Sequence, residues 1–202
     1  YRQPGAEFFA AAISSGGGFL TVSDLINYKP TWRVPIRVPL GDISVHFSPP
    51  PAAGGAVAAE IFSMVLGKLL ENDTAINAQP HLLIETFVRA YSDRNQWMQT
   101  DGTININPQD LVSKKRINSL MASYNPDIYV PSASTDLKPP KIQEDTSGTT
   151  FAVMDEDGMA VSCALSMNSL FGNGLIAENT GILMASPSTD GRGAISLGPM
   201  LA

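Results

Sequence analysis

The chain has 202 residues, 44% hydrophobic and 16% charged, with a mean hydropathy of +0.03. That composition suits one large or two small globular domains with a sizeable core, and it excludes a disordered chain. A formal net charge of −6, with the lysines and arginines in no stripe, argues against a nucleic-acid partner and gives no reason to invoke a membrane surface.

No apolar run reads as long enough to span a bilayer, and the residues from Tyr1 onward lack the charged and apolar regions of a signal peptide. The single cysteine, Cys163, rules out an internal disulfide and reads as a mid-strand packing residue. Two scattered histidines, His46 and His81, suggest no metal site, and no cofactor is expected.

In chain order, Pro4 to Ser15 carries Phe8, Phe9, Ala12 and Ile13 at helical spacing and stops at Gly16-Gly17-Gly18. Thr21-Val22-Ser23-Asp24 offers capping residues for a brief helix through Tyr28. Arg33 to Val38 and Ile43 to Phe47 read as strands joined near Gly41-Asp42. Pro49-Pro50-Pro51 breaks the chain, and Gly54-Gly55 opens a helix bearing Val57, Ile61, Met64, Val65 and Leu69. Helices from Pro80 to Trp97 and from Pro108 to about Tyr124 follow. Asn125 to Ser147, rich in Pro, Ser and Asp and without periodicity, reads as an exposed, cleavable linker.

From Gly148 the texture changes. Thr149 to Asp155 and Met159 to Asn168 bracket a turn at Glu156-Asp157-Gly158, the pattern of a hairpin. On its second strand Val161, Cys163, Leu165 and Met167 share one face, and Ser162, Ala164, Ser166 and Asn168 the other. The small, polar face suits a pocket floor and equally a surface packed tightly under helices. A loop at Gly172-Asn173-Gly174 and a short strand from Gly181 to Ala185 lead on to Asp190 and Arg192. At Gly148-Thr149-Thr150 an unhindered peptide bond runs straight into a threonine that opens a strand. A nucleophile freed by cutting the chain needs that arrangement, because its own new α-amino group then activates its hydroxyl. The helices from Gly54 and Pro80 are expected to pack together beside this hairpin.

These residues carry a resemblance. Tyr1-Arg2, Gly17-Gly18-Phe19-Leu20-Thr21 with Asp24-Leu25 and Tyr28, Arg33-Val34-Pro35, Pro49-Pro50-Pro51 with Gly54-Gly55, and His81 … Glu85 with Tyr91-Ser92-Asp93-Arg94 match in order. So do Thr149-Thr150, Val153, Asp155, Asp157-Gly158, Ala160-Val161-Ser162, Asn168, Phe171-Gly172 and Gly181-Ile182-Leu183. Along nearly its whole length the chain resembles the central part of the gamma-glutamyltransferase (gamma-glutamyltranspeptidase) family of N-terminal-nucleophile hydrolases.

The resemblance implies an α+β chain forming part of a four-layer αββα sandwich, made as a precursor that cuts itself before a threonine. Residues 1–147 would be the C-terminal part of a large-subunit-like region, and 148–202 the start of a small-subunit-like one. The implied reaction moves the γ-glutamyl group of glutathione or a related γ-glutamyl amide to water or to an amino-acid acceptor. The remaining parts of both subunits would be the partners, with no nucleic acid and no membrane.

By the same resemblance Thr149 is the nucleophile, with Thr150 beside it, and Ser166 stands where a threonine contacts the nucleophile. Asn168 matches the residue binding the substrate's α-carboxylate end, Asp190 the acid taking its α-amino group, and Ser196 one of a pair of substrate-contacting serines. Ser166, Asn168 and Asp190 are expected to converge near the Thr149 hydroxyl.

Three departures bear on activity. The family reads Thr-x-His-x-x-Val where this chain reads Gly148-Thr149-Thr150-Phe151-Ala152-Val153. Counted back from Asp157-Gly158 without a gap, the nucleophile position is Gly148; one deletion at the missing histidine restores Thr149, with Thr146 and Thr150 as the other hydroxyls. The family's Asn-Asn-Glu is Ala185-Ser186-Pro187 here, which removes a second carboxylate from the amino-group site. The family's substrate-gripping arginine and its oxyanion-hole glycines would lie before Tyr1 and after Ala202, so these residues alone are expected to be inactive. A non-catalytic, uncut relative with a binding or structural role is the other reading.

Elsewhere, His81 and Glu85, one helical turn apart, read as a helix-surface hydrogen bond, and Asp93-Arg94 as a tie from helix to loop. Gly54-Gly55 reads as a closely packed helix start, since no Lys-Ser/Thr follows to make it a phosphate loop.

Overall fold

The computed structural model describes residues 5–72, 80–99, 103–128, 148–186 and 198–201. Its helices are α1 (Gly5–Ser15), α2 (Val22–Asn27), α3 (Ala53–Asn72), α4 (Pro80–Trp97) and α5 (Lys114–Met121), with a 3₁₀ helix at Pro108–Val112. Its strands are β1 (Ile36–Leu40), β2 (Ile43–Phe47), β3 (Gly148–Met154), β4 (Ala160–Ser166), β5 (Leu170–Asn173), β6 (Ile176–Ala177), β7 (Ile182–Leu183) and β8 (Met200–Leu201). The architecture is mixed helix and sheet.

α1 ends where its glycines dictate: Gly17 takes φ +82°, and the amides of Gly16 and Gly18 both return to the Ile13 carbonyl. Its buried side is Ala6, Ala10 and Ala12; Phe8, expected on the packed stripe, stays half exposed. The small side chains let α1 approach β6, where Ala12 and Ile13 meet Ala177 and Met184. α2 starts with a full capping box. Thr21 Oγ1 accepts from the Asp24 amide (3.1 Å), while Asp24 Oδ2 accepts from the Thr21 amide (2.9 Å).

β1 and β2 pair antiparallel around Gly41-Asp42, Gly41 having φ +58°. Ile36 faces Phe47 and Val38 faces Val45, and all four are buried, while Arg37 and His46 point outward. The first strand starts at Ile36 and not at Arg33. Pro35 has no N–H to give, and Ser48, next on the partner strand, gives its N–H to the Pro199 carbonyl (3.1 Å).

α3 lies against β1–β2 and is flanked by α4, α5 and the 3₁₀ helix. Val57 and Met64 from α3 share one buried cluster with Leu82 and Trp97 from α4, Leu111 from the 3₁₀ helix and Ile117 from α5. By length and composition Ala53–Glu71 is apolar enough to cross a bilayer, with mean hydropathy 1.5, contrary to the expectation that no run reaches that length. Its apolarity has a core explanation here, since neighbours contact it from a sheet, two helices and a 3₁₀ turn.

A charge cluster joins three helices. Glu60 of α3 is fully buried, and Arg116 of α5 reaches its Oε1 at 3.8 Å. The same guanidinium donates to Asp93 Oδ2 of α4 from Nη2 (2.6 Å) and Nε (3.0 Å). Asp93 therefore ties helix to helix, where a helix-to-loop tie was expected, and Arg94 lies buried over the Tyr91 ring, 5.4 Å from its centroid. On the far part of α4, Arg89 donates to Glu85 (3.0 Å) and to the Leu120 carbonyl and Ser123 hydroxyl (both 2.9 Å). His81 is stacked on Tyr124, with Nε2 3.8 Å from Glu85 Oε1, so the expected His81–Glu85 hydrogen bond is replaced by a looser contact.

The single helix expected from Pro108 to Tyr124 is two. Ser113 takes ψ 142°, ends the 3₁₀ turn and caps α5, its hydroxyl accepting from the Arg116 amide. Of the expected linker, Asn125 to Ile128 forms a turn, and residues 129–147 lie outside the described residues.

β3 and β4 form the expected antiparallel hairpin, but α3, on which α4 does pack, lies on β1–β2 instead of beside it. β3 is exposed along its whole length. The chain then returns to the first half: β8 pairs with β2, setting Met200 opposite Phe47, and Gly198 sits against the start of α3. A Cβ on Gly198 would lie 2.7 Å from Gly54 C and Gly55 N, so Gly54-Gly55 is the closely packed helix start the sequence suggests.

Candidate functional site

The site the sequence points to is the open end of the β3–β4 hairpin and the loop beyond it. The closed end is well made: Asp155 Oδ1 accepts from the amides of Asp157 (3.1 Å) and Met159 (2.8 Å), and Gly158 takes φ +85°. From there the register runs unbroken, Met154 opposite Ala160 and onward to Thr150 opposite Ala164, Thr149 opposite Leu165 and Gly148 opposite Ser166.

Residues directly opposite each other project from the same face of an antiparallel pair. One face thus carries Gly148, Thr150 and Ala152 with Ser162, Ala164 and Ser166; the other carries Thr149, Phe151 and Val153 with Val161, Cys163 and Leu165. Thr149 and Thr150 are both exposed, and it is Thr150 that shares the small, polar face with Ser166. Cys163, half buried, lies on the apolar face.

β4 ends at Ser166 because the chain turns sharply there. Ser166 Oγ accepts from the Asn168 amide (3.0 Å), and Asn168 sits in the left-handed region at φ +61°. Asparagine is among the few non-glycine residues that tolerate that conformation. Its Nδ2 donates to the Ser186 carbonyl (2.8 Å), and the Ser169 hydroxyl donates to the Gly172 carbonyl. The Gly172-Asn173-Gly174 loop uses both its glycines at positive φ, +55° and +76°. At Gly172 a side chain would collide with the Met184 carbonyl, which instead accepts the Asn173 amide (3.0 Å).

Ser166 and Asn168 are therefore brought together, with Thr150 on the Ser166 face and Thr149 turned to the other. Asp190 and Ser196 lie outside the described residues. Sequence reasoning missed Ser169 and Ser186, both hydrogen-bonded around Asn168; their one signal was position, beside Asn168 and before Pro187. Among the described residues no three His, Cys, Asp or Glu side chains are grouped to hold a metal. A groove of about 1060 Å³ between Trp32, the Pro49–Pro51 run and Gln109, and one of about 310 Å³ between Lys68 and Tyr124, have no lining residue from this hairpin.

The family model described as gamma-glutamyltranspeptidase matches residues 1–193. The chain is 30% identical over 192 residues to the glutathione hydrolase proenzyme of Pseudomonas sp. (strain A14), covering 94% of this chain and 33% of that one. To the glutathione hydrolase proenzyme of Escherichia coli (strain K12) it is 28% identical over 193 residues, again with 94% and 33% covered. It thus spans about a third of the length of the curated relatives it matches. Among solved structures, cephalosporin acylase from Bacillus halodurans superposes with a TM-score of 0.67 at 22% identity, covering 99% of this chain and 38% of that one. Gamma-glutamyltranspeptidase from Pseudomonas nitroreducens gives 0.54 at 23% identity, with 69% and 42% covered. Both likenesses bear on the fold.

Proposed function

The chain belongs to the gamma-glutamyltranspeptidase family, and on that premise we propose that the protein carrying it hydrolyses or transfers the γ-glutamyl group of glutathione-like γ-glutamyl amides. Residues 1–147 then belong to the large-subunit-like part and 148–202 to the small-subunit-like part of a four-layer αββα sandwich. The rest of both subunits would complete the site. The interlocking of β8 with β2 accords with a division made by cutting and not by separate folding.

In this reading Thr149 Oγ1 attacks the Gly148 carbonyl, the amide C–N bond breaks as an ester forms, and water hydrolyses the ester. The freed Thr149 amine then serves as local base for attack on the substrate amide. Gly148 adds no side chain to crowd the first step. Thr150 and Ser166 would support the nucleophile, while Asn168, Asp190 and Ser196 hold the charged head of the γ-glutamyl group. The observation that carries the reading is the placement of Gly148-Thr149-Thr150 at the open end of a hairpin, with Gly148 across from Ser166, which itself lies two residues before the fixed turn at Asn168.

The same register favours a second reading, a non-catalytic relative. Gly148 itself stands opposite Ser166 without any bulge, and Thr149 projects from the other face. The Thr149 hydroxyl reaches the Ser166 side only if its end of β3 turns over, a movement that cutting before Thr149 would permit. N-terminal sequencing of the complete purified protein separates the two readings. A new terminus at Thr149, absent in Thr149→Ala and partly retained in Thr149→Ser, supports the enzyme. An intact chain supports the non-catalytic relative. Cleavage that persists in Thr149→Ala moves the nucleophile to Thr150.

A further inference from the structure

Ser186 commits all three of its polar groups to three consecutive residues of the strand end beside it. Its N–H donates to the Met167 carbonyl (2.9 Å), its carbonyl accepts from Asn168 Nδ2 (2.8 Å), and its Oγ lies 2.8 Å from Ser169 Oγ. Because the Ser169 hydroxyl proton goes to the Gly172 carbonyl, Ser186 is the donor in the bond between the two serines.

A backbone carbonyl can only accept. The Asn168 amide must therefore turn its nitrogen toward Ser186, which leaves Oδ1 and the second N–H for another partner. The backbone of Asn168 is fixed as well, at φ +61° by its bond to Ser166 Oγ. Both ends of this residue are set before any ligand arrives, and preorganisation of that kind lowers the entropy lost on binding.

We propose that Ser186, acting with Ser169, is a positioning residue: it fixes the amide orientation of Asn168 and so decides which atoms of Asn168 meet the amino-acid head of the substrate. The kinetic part rests on the reading of Asn168 as a substrate contact. Ser186→Ala deletes the bond to Ser169 and keeps both backbone bonds. In the complete protein, with a chromogenic γ-glutamyl anilide as probe, KM rises about three- to ten-fold, the loss of one neutral hydrogen bond. kcat stays within about two-fold, because the contact is made equally in ground and transition states. Ser186→Thr, which keeps the hydroxyl, restores KM. Ser169→Ala, which also frees the Gly172 carbonyl, gives at least as large a rise, and the double variant is no worse than Ser169→Ala, since Ser186→Ala removes only a bond that Ser169→Ala has already removed.

An unchanged KM in Ser186→Ala overturns the proposal, as does a fall in kcat and Tm together at constant KM. If the wild-type protein turns over no γ-glutamyl anilide, the functional reading fails, and the side-chain amide protons of Asn168 decide the positioning role alone. Protection of one of them from exchange by the bond to the Ser186 carbonyl, weakened in Ser186→Ala as that carbonyl is held less firmly without the serine–serine bond, supports it; equal exchange in both proteins overturns it.

Discussion

Replacing Glu60 with glutamine tests whether the buried charge cluster couples stability to pH. Burial, and then the neighbouring Asp93, push the Glu60 carboxyl well above its ordinary value of 4.5, against the pull of Arg116 and the Trp97 indole. The folded state therefore keeps a proton on Glu60 that the unfolded chain releases near 4.5. Below that pH both states are protonated and the stabilising difference is fully present. As pH rises toward the folded-state value the unfolded chain has lost its proton and the folded one has not, so stability falls by up to about 1.4 kcal/mol per pH unit. Glutamine imitates the protonated acid and has nothing to lose. Urea denaturation of the two proteins from pH 4.5 upward should thus give similar free energies at the acid end. Toward neutral pH the variant should gain on the wild type, by at most that slope. Parallel curves, or a variant that weakens relative to wild type as pH rises, would refute the assignment of a protonated Glu60.

Three further outcomes are expected. Leu111, fully buried in the core cluster, should cost about 2–5 kcal/mol when replaced by alanine. That corresponds to a fall in Tm of roughly 2–4 °C per kcal/mol for a chain of this size; a Tm unchanged in calorimetry would mean the 3₁₀ turn does not seal the core. Gly172→Ala places a side chain at φ +55° and against the Met184 carbonyl, so a loss of about 1–3 kcal/mol is expected, read as a lowered urea midpoint. Asp190→Ala in the complete protein should leave the substrate ammonium unpaired, raising apparent KM by an amount equivalent to about 2 kcal/mol, roughly 30-fold; unchanged kinetics would remove Asp190 from the site.

Where local chemistry decides an element, the sequence carried it. α4 was legible from Pro80 because a proline opens it, but the face it buries was not, since Glu85, Thr86, Arg89, Ser92, Asp93 and Arg94 lie there beside Leu82, Ala90 and Trp97. The β3–β4 hairpin was legible because Asp157-Gly158 has only one comfortable use between two β-prone runs. The break at Ser113 was hidden: Leu111, Val112, Ile117, Leu120 and Met121 read as one apolar helix, and only the cap geometry divides them. β8 had no local signal at all. Two residues become a strand there because the free edge of β2 accepts them, a pairing that spans most of the chain. Glu60 was hidden for the same reason, since the side chains that set its state, Asp93 and Arg116, stand 33 and 56 positions later.

The site divides along the same line. Periodicity assigns the faces of β4 correctly, because alternation needs no knowledge of the partner strand. Which hydroxyl of β3 faces Ser166 is a question of phase between two strands, and a single residue of slip exchanges the two faces. A deletion at the missing histidine and an ungapped count both preserve every apolar position of β3, so composition cannot choose between them. The register chooses a phase: it puts Gly148 across from Ser166 and gives Thr150, not Thr149, the shared face. If the protein is an enzyme and Thr149 its nucleophile, then, the uncut strand holds Thr149 in the wrong phase, and the cut before it must both create the base and release the nucleophile to turn.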